Sequence, residues 1–245
     1  MIQERLAQAL PAAKLSAKIH PMIVAAGSGS RFQSSLPKQF TPIFGKTILE
    51  HSVRCLAKSA YIDCCLLVIS ASDDFAPTLN FELPVSFAIG GAERWQSVQA
   101  GVTALIAAGA QEHDFVLIHD AARPTVPVAD INNVIQAAFH EPFGAILAAP
   151  VVDTLKQAFG EGYIEKTVDR SQMWQAQTPQ VFRLGALVQA LAYIANNNIS
   201  ITDEASAFEA LNLPIKLVSG SRQNIKLTFP EDELIIKALI KGHID

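Results

Sequence analysis

Short apolar runs alternate with segments of helical periodicity along this chain, and that alternation limits its fold more than any other feature. The runs are rich in valine, isoleucine and leucine and lack in/out alternation, which is typical of strands covered on both faces. Such runs predict strands at Met22 to Ala25, Cys65 to Ser70, Val85 to Ile89, Phe115 to Asp120 and Ala145 to Val151. Apolar spacing of three and four residues predicts helices between them, at Thr47 to Ser59, Arg94 to Ala108 and Val128 to His140.

This order of elements predicts an α/β fold with a doubly wound, mostly parallel sheet. Ligands of such sheets bind at the carboxyl ends of the strands, where the strand order reverses. The last part of the chain returns to the same pattern. It predicts helices near Leu184 to Asn196, Glu204 to Leu211 and Pro230 to Ile240, and a strand at Ile215 to Val218. With 245 residues, of which 50% are hydrophobic, one domain is the expected organisation.

A different pattern occupies Asp153 to Asp169, where polar and apolar residues alternate around Gly160-Glu161-Gly162. Period-two alternation on both sides of a glycine turn predicts a β-hairpin. Because an isolated two-stranded ribbon is only marginally stable in water, we expect this hairpin to lie against something else.

Charge and composition exclude several classes of protein. The net charge of −4, without a lysine or arginine block, is not that of a domain that binds a nucleic-acid polymer. Met1 to Ile19 is interrupted by charged residues, unlike a signal peptide, and we find no run of about 18 apolar residues. We therefore expect a cytoplasmic protein without a membrane partner. Cys55, Cys64 and Cys65 lie in apolar segments without C-x-x-C spacing, which favours buried core thiols.

The stretch MIVAAGSGSRFQSSLPKQF, Met22 to Phe40, resembles a phosphate-binding loop but matches neither common form. A dinucleotide fingerprint needs a third glycine where Phe32 stands. A Walker A motif that ends at Gly45-Lys46-Thr47 needs its first glycine where Phe40 stands. A dehydrogenase or a P-loop protein is therefore not indicated.

What remains is a strand followed at once by Gly27-Ser28-Gly29. Backbone N–H groups in such a turn can surround phosphate oxygens, and Arg31 and Lys38 would add full positive charges. The alternative is a solvated turn with two unrelated basic side chains, and the loop by itself leaves both interpretations open.

Three further polar features have a structural and a functional interpretation. Asp120 follows an apolar strand, where a lone carboxylate suits Mg²⁺ but can also cap the next turn, and His119 beside it we interpret as structural. Thr202-Asp203-Glu204 is an ordinary helix start. Lys226 lies on a predicted strand between apolar neighbours and points either to solvent or into the site.

Seven motifs, in order, resemble the 2-C-methyl-D-erythritol 4-phosphate cytidylyltransferase family over Pro21 to Ile240. They are AAGSGSRF…LPKQF, GGAERWQSV, HDAARP, PVVDTLK, TVDR…W.AQTPQ.F, TDEASA.E and NIKLT.PED. The resemblance implies transfer of the cytidylyl group of CTP to methylerythritol phosphate in isoprenoid precursor synthesis. It also implies Mg²⁺, a Rossmann-like single domain over residues 21–245, and a homodimer joined by a protruding β-arm at about residues 152–172. Residues 1–20 match nothing in the family and are expected to be a poorly ordered leader.

The resemblance also assigns site residues. Catalytic roles fall to Arg31, Lys38 and Lys226, and the metal to Asp120. The positions matched to CTP are Ala25, Ala26, Gly27, Gly29, Gly91, Ser97, Ala121 and Arg123. Those matched to the acceptor phosphate substrate are Thr154, Arg170 and Thr178, with Arg170 arriving from the partner's arm.

The sequence departs from the family pattern at three positions and leaves other functions to consider. Val24 stands where many members have proline, Ala92 where an acidic residue often follows the two glycines, and Gln223 where some have an aspartate proposed as a second metal ligand. The alternative enzyme is a ribitol (pentitol) phosphate cytidylyltransferase, which shares the CTP half of the site. A catalytically silent nucleotide-binding regulator is the alternative outside enzymes.

Overall fold

The computed structural model describes residues 17–27 and 36–242 of the chain. Its strands are β1 (Ile19–Val24), β2 (Pro42–Ile43), β3 (Lys46–Thr47), β4 (Cys65–Ile69), β5 (Val85–Ile89), β6 (Phe115–Asp120), β7 (Gly144–Pro150), β8 (Leu155–Phe159), β9 (Tyr163–Val168), β10 (Trp174–Arg183) and β11 (Lys216–Ser219). Its helices are α1 (Ile48–Ala57), α2 (Arg94–Ala107), α3 (Val128–His140), α4 (Leu184–Asn196), α5 (Glu204–Glu209) and α6 (Asp232–Lys241), with short 3₁₀ turns at Lys38–Phe40 and Ala76–Thr78.

Seven strands form the main sheet in the order β11-β7-β10-β6-β1-β4-β5. β10 is antiparallel to β6 and β7, and the other described pairings of this sheet are parallel. An antiparallel neighbour needs no crossover helix, so β10 can pair with β7 directly after the hairpin between them. The predicted α/β fold with a mostly parallel, Rossmann-like sheet is confirmed.

The core lies on both faces of the sheet because successive strand residues point to opposite sides. Met22 of β1 belongs to one apolar cluster, with residues of α2, α4 and α5. Ile23 beside it belongs to the other, with residues of α1 and α3. The central strands β4 and β6 are buried along their whole length, which explains their continuous apolar runs.

The predicted hairpin is confirmed as a separate two-stranded antiparallel sheet, β8 and β9. Its turn contains Gly160 and Gly162 with φ of +52° and +97°, a backbone conformation that favours glycine. Most of its side chains are exposed, including Phe159 at 57% and Tyr163 at 69%, whose ring centroids lie 6.1 Å apart. The sequence expectation that this ribbon lies against another body therefore stays a prediction.

Three expectations from the sequence differ from the structure. Lys226 does not lie on a strand: its segment is extended, and its neighbour Leu227 donates its N–H to the Ala122 carbonyl at 2.8 Å. β10 was not predicted, because polar residues interrupt its apolar pattern from Gln175 to Gln180, although Gln177, Thr178 and Gln180 are buried. Cys55 and Cys65 are buried as predicted, whereas Cys64 is exposed, since it precedes the first residue of β4. The expected leader was residues 1–20. Residues 1–16 lie outside the described residues, whereas Ile19 and His20 belong to β1.

Candidate active site

A cavity of about 550 Å³ opens at the carboxyl edge of the sheet. β1 and β6 pair so that Val24 and Asp120, the last residues of the two strands, lie side by side at this edge. The cavity therefore lies where ligands of doubly wound sheets bind.

The segment that follows β1 forms one wall of the cavity through Ala25, Ala26 and Gly27. The buried Gln39 side chain braces it, donating to the Ala25 carbonyl at 2.8 Å and the Gly27 carbonyl at 3.3 Å. Because Gln39 belongs to the 3₁₀ turn that begins at Lys38, this brace also ties the backbone next to Lys38 to the loop, and Lys38 lines the cavity. Gly29 and Arg31, two predicted site residues, lie outside the described residues.

The opposite wall is the turn between β5 and α2, where Gly91 and Ser97 line the cavity. The Ser97 hydroxyl is buried and accepts the Gly91 N–H at 3.2 Å. A side chain at Gly90 would not fit, since its Cβ would lie 2.7 Å from both the Ala26 Cβ and the Ser97 Oγ. The glycines thus let this turn approach the β1 loop closely, and the N-terminus of α2 adds partial positive charge near the cavity.

Asp120 joins two cations at the floor of the cavity. Its Oδ1 accepts from Arg94 Nε at 3.3 Å and from Nη2 at 3.0 Å, and its Oδ2 accepts from Lys226 Nζ at 2.6 Å. Burial by itself would raise the pKa of Asp120, but the charges of Arg94, Lys226 and Arg123 outweigh it and hold that pKa well below its ordinary value. Asp120 is therefore ionised at neutral pH. Lys226 lines the cavity, so of the two orientations predicted for its side chain the one into the site is found.

Arg94 and Glu204 are charged residues of the site that the sequence reasoning missed. The Arg94 guanidinium uses its remaining edge, Nη1, to donate to Oε1 of the fully buried Glu204. Burial raises the pKa of Glu204, and the adjacent Arg94 opposes that rise. Arg94 lies in the motif GGAERWQSV, which could have marked it as a possible site residue. Glu204 is an acid in the first turn of α5, and this is a common position for an acid in any helix, so the sequence did not single it out.

A buried hydrogen-bond network supports Asp120 from below. Thr178 is buried rather than in the cavity wall, and its hydroxyl accepts the Asp120 N–H at 3.0 Å. His119 Nε2 donates to the Arg123 carbonyl at 3.0 Å, and burial lowers the pKa of His119 to about 4. The unprotonated Nδ1 is then free to accept from Thr178 at 3.1 Å. These contacts fit the structural role that the sequence suggested for His119.

The remaining predicted site residues lie in two different places. Ala121 lines the cavity, whereas the Arg123 side chain turns away to donate to the Asn224 carbonyl at 2.7 Å. Thr154 and Arg170 flank the exposed hairpin and do not line the cavity of their own chain. The structure therefore brings six of the eight predicted CTP positions together with Lys38, Asp120 and Lys226, namely Ala25, Ala26, Gly27, Gly91, Ser97 and Ala121. It leaves Thr154 and Arg170 apart from them.

In 17–27 and 36–242, no three His, Cys, Asp or Glu side chains gather into a group that could hold a metal ion. In the same part of the chain, no helix is long and apolar enough to cross a membrane.

Comparison with known proteins agrees on one family. The family model for IspD, 2-C-methyl-D-erythritol 4-phosphate cytidylyltransferase, matches residues 19–242. A protein of that name from Psychrobacter arcticus is 57% identical, over 91% of this chain and 91% of its own. A crystal structure of 4-diphosphocytidyl-2C-methyl-D-erythritol synthase is 39% identical, with a TM-score of 0.80 over 92% of this chain and 100% of its own. The Francisella tularensis 2-C-methyl-D-erythritol 4-phosphate cytidylyltransferase is 30% identical, with a TM-score of 0.78 over 91% of this chain and 100% of its own.

With a matching family model over nearly the whole chain, close relatives, and a cavity formed by the motifs that carry the resemblance, this chain belongs to the IspD family of 2-C-methyl-D-erythritol 4-phosphate cytidylyltransferases.

Proposed function

We propose that this chain transfers the cytidylyl group of CTP to 2-C-methyl-D-erythritol 4-phosphate, giving 4-diphosphocytidyl-2-C-methyl-D-erythritol and pyrophosphate. A phosphate oxygen of the acceptor forms a bond to the α-phosphorus of CTP, and the bond from that phosphorus to the pyrophosphate oxygen breaks. The observation that carries the proposal is the cavity at the carboxyl edge of the sheet, into which Lys38 and Lys226 bring positive charge beside Asp120. We also propose that the protein works in the cytoplasm, without a nucleic-acid polymer or a membrane as partner.

The chemistry depends on charge and position, because a phosphate nucleophile needs no base to remove a proton. Negative charge spreads over the equatorial oxygens of the α-phosphate in the transition state. Lys38, Lys226 and Arg94 are cations that line the cavity, and Arg31 joins them by resemblance. Fixed cations aimed at developing charge are among the largest contributions to such catalysis.

We place the cytidine half of CTP against the turn after β5. Gly91 and the buried Ser97 line the cavity with Ala25 and Ala26, and Gly91 and Ser97 hold each other in place by hydrogen bonds. Ala92 also lines the cavity, and its methyl group brings no side-chain acceptor to the base. We therefore assign recognition of cytosine to backbone groups of this turn, with Ala121 on the β6 side, and leave Arg123 to hold the loop around Asn224.

Asp120 suits a magnesium ion that accompanies CTP. Mg²⁺ commonly takes one or two protein carboxylates and completes its shell with phosphate oxygens and waters. Asp120 is a single carboxylate at the cavity wall, and the neighbouring cations keep it ionised as a metal ligand requires. The residues fit the ion in this respect, and Gln223 adds no second carboxylate. When bound, Mg²⁺ would neutralise phosphate charge, while Asp120 would hold it.

The acceptor half of the site is proposed to need a second copy of the chain. Thr154 and Arg170 flank an exposed hairpin and do not line their own cavity, which supports the proposal that they serve a partner's cavity in a homodimer. The exposed rings of Phe159 and Tyr163 would be covered in such a dimer. Thr178 is proposed to act from beneath Asp120, since its hydroxyl is already engaged there.

Pyrophosphate release from CTP tests the proposed function. Methylerythritol phosphate and ribitol phosphate are offered side by side, with the Lys226→Ala variant as a control for contaminating activity. We expect release with methylerythritol phosphate at least about 100-fold above that with ribitol phosphate, since the relatives that the chain matches carry the name of the first activity. Equal or greater release with ribitol phosphate would select the alternative enzyme, and CTP binding without release from either would select the silent regulator.

A further inference from the structure

Arg94 separates the main cavity from a second, smaller one. It lines the cavity of about 550 Å³ and also one of about 280 Å³ that Glu204 lines on the other side. The side chain is 28% exposed, so its position depends on the groups that hold it. Those groups are Asp120 on one edge of the guanidinium and Glu204 on the other.

The four charged groups form one chain of contacts, from Glu204 to Arg94, to Asp120 and to Lys226. Each guanidinium edge and each Asp120 oxygen has a different partner. A guanidinium is a rigid planar fork, so fixing Nη1 on Glu204 also fixes where Nε and Nη2 point. The position of Asp120, and with it that of Lys226, then depends on a residue outside the main cavity.

Glu204 is buried at the start of α5, but it is not the residue that caps the helix. It begins α5, but the helix cap is Asp203, whose carboxylate accepts the Ser206 N–H at 3.1 Å. Its side chain is fully buried, and Oε2 has no hydrogen-bond partner among the described residues. Burying a carboxylate with one oxygen unsatisfied is unfavourable, and an apolar residue of similar volume often serves stability as well or better. Among the described residues, Arg94 is the side chain with which this carboxylate forms an ion pair.

We propose that Glu204 is a positioning residue for cytidylyl transfer: it holds Arg94, and through Arg94 and Asp120 it fixes the Lys226 ammonium at the cavity. This inference rests on the proposed function, since it concerns the same reaction. Glu204 itself does not line the main cavity, so its effect on the reaction passes through the arginine.

The test is the Glu204→Gln variant, which keeps size and an acceptor oxygen but removes the charge. We expect kcat to fall at least about 10-fold while the KM for CTP changes less than about 3-fold, as for a group that acts on the transition state. In an Arg94→Gln background the same substitution is expected to change kcat less than about 2-fold, because its only route is already removed. Glu209→Gln, on the exposed end of the same helix, is the matched control and is expected to leave both constants unchanged.

Wild-type turnover is measured first, so that an inactive wild type counts against the proposed function and not against Glu204. With an active wild type, a Glu204→Gln variant with normal kcat would overturn the inference. A double variant whose loss in kcat equals the product of the losses of Glu204→Gln and Arg94→Gln alone would also overturn it. If Glu204→Gln does not fold, Glu204→Asp keeps the charge and withdraws it by one methylene. A folded Glu204→Asp protein is expected to lose kcat, and normal kcat in it would overturn the inference.

Discussion

Charged side chains at the cavity come from distant parts of the chain, and the fold brings them together before any substrate binds. Lys226 Nζ lies 2.6 Å from Asp120 Oδ2, and Lys38 follows the segment that Gln39 braces. Preorganised cations need little rearrangement during the reaction, which is why they lower the barrier. The two lysines therefore have the strongest claim to a catalytic role.

Lys38→Ala is expected to lower kcat at least about 100-fold while CTP still binds, because the lysine acts mainly on charge in the transition state. Steady-state kinetics with varied CTP measures both effects. Lys46→Ala is the control, since Lys46 pairs with Glu82 at 3.1 Å on the surface and does not line the cavity. Weaker CTP binding with unchanged kcat would show that Lys38 only binds.

The three cysteines are expected to differ in reactivity because the thiolate is the nucleophile. Burial raises the pKa of Cys55 to about 11 and raises that of Cys65 further. Partial burial and the adjacent Asp63 also raise the pKa of Cys64, but this cysteine is exposed and accessible to a reagent. A chromogenic disulfide reagent should therefore titrate about one thiol per folded chain quickly and all three in denaturant. Cys64→Ser should abolish the fast phase. A second fast thiol in the wild type would contradict the buried positions of the other two.

At the scale of elements, the site depends on how closely the turn after β5 approaches the loop after β1. Gly90→Ala would place a Cβ 2.7 Å from the Ala26 Cβ and the Ser97 Oγ. Because backbone must move to relieve that contact, we expect the Kd for CTP to rise at least about 10-fold and stability to fall by about 1–3 kcal/mol. Calorimetric titration and denaturant unfolding measure the two effects.

Gly242→Ala provides the matched substitution, since the nearest atom to its Cβ would be 3.7 Å away, an ordinary contact. It lies after α6, outside the cavity, and should change neither quantity. Unaltered CTP binding in Gly90→Ala would mean that the turn does not contribute to the nucleotide site.

At the scale of the whole molecule, the proposed homodimer shares its active sites, and subunit mixing tests that. If Arg170 serves the partner's cavity, a mixed dimer of Lys38→Ala and Arg170→Ala chains has one site with both lesions and one with neither. With random mixing, half of the dimers are mixed and half of their sites are intact. Co-expression should then restore about a quarter of wild-type activity.

Co-expression of Lys38→Ala with Lys226→Ala is the control for this experiment. Both lysines line the cavity of one chain, so every site of a mixed dimer keeps a lesion and activity should not return. Activity no higher than the parental average for the Lys38 and Arg170 pair, with mixed dimers demonstrated, would exclude the shared site.

Local sequence patterns predicted most of the helices and strands and the edge of the sheet at which the cavity lies, although they missed β10. Strand β6 and helix α3 have the predicted bounds. The spacing of apolar residues within each segment predicts which positions are buried, and therefore where the element begins and ends. The hairpin around Gly160 was also predicted correctly, because the alternation of polar and apolar residues and the glycine turn are both local sequence signals. The order of strands and helices then placed Asp120 at the carboxyl edge, where the cavity is found.

Only the tertiary structure decided which side chains meet. Arg94 and Glu204 are 110 residues apart, and Asp120 and Lys226 are 106 apart, so no local pattern contains either contact. The sequence left two orientations open for Lys226, and the contact with the Asp120 carboxylate shows which one the lysine adopts. Thr178 is buried and accepts the Asp120 N–H, which the sequence did not indicate. Periodicity records how far a residue is buried but not what lies against it, and the partner of a buried charge is fixed by the packing of whole elements.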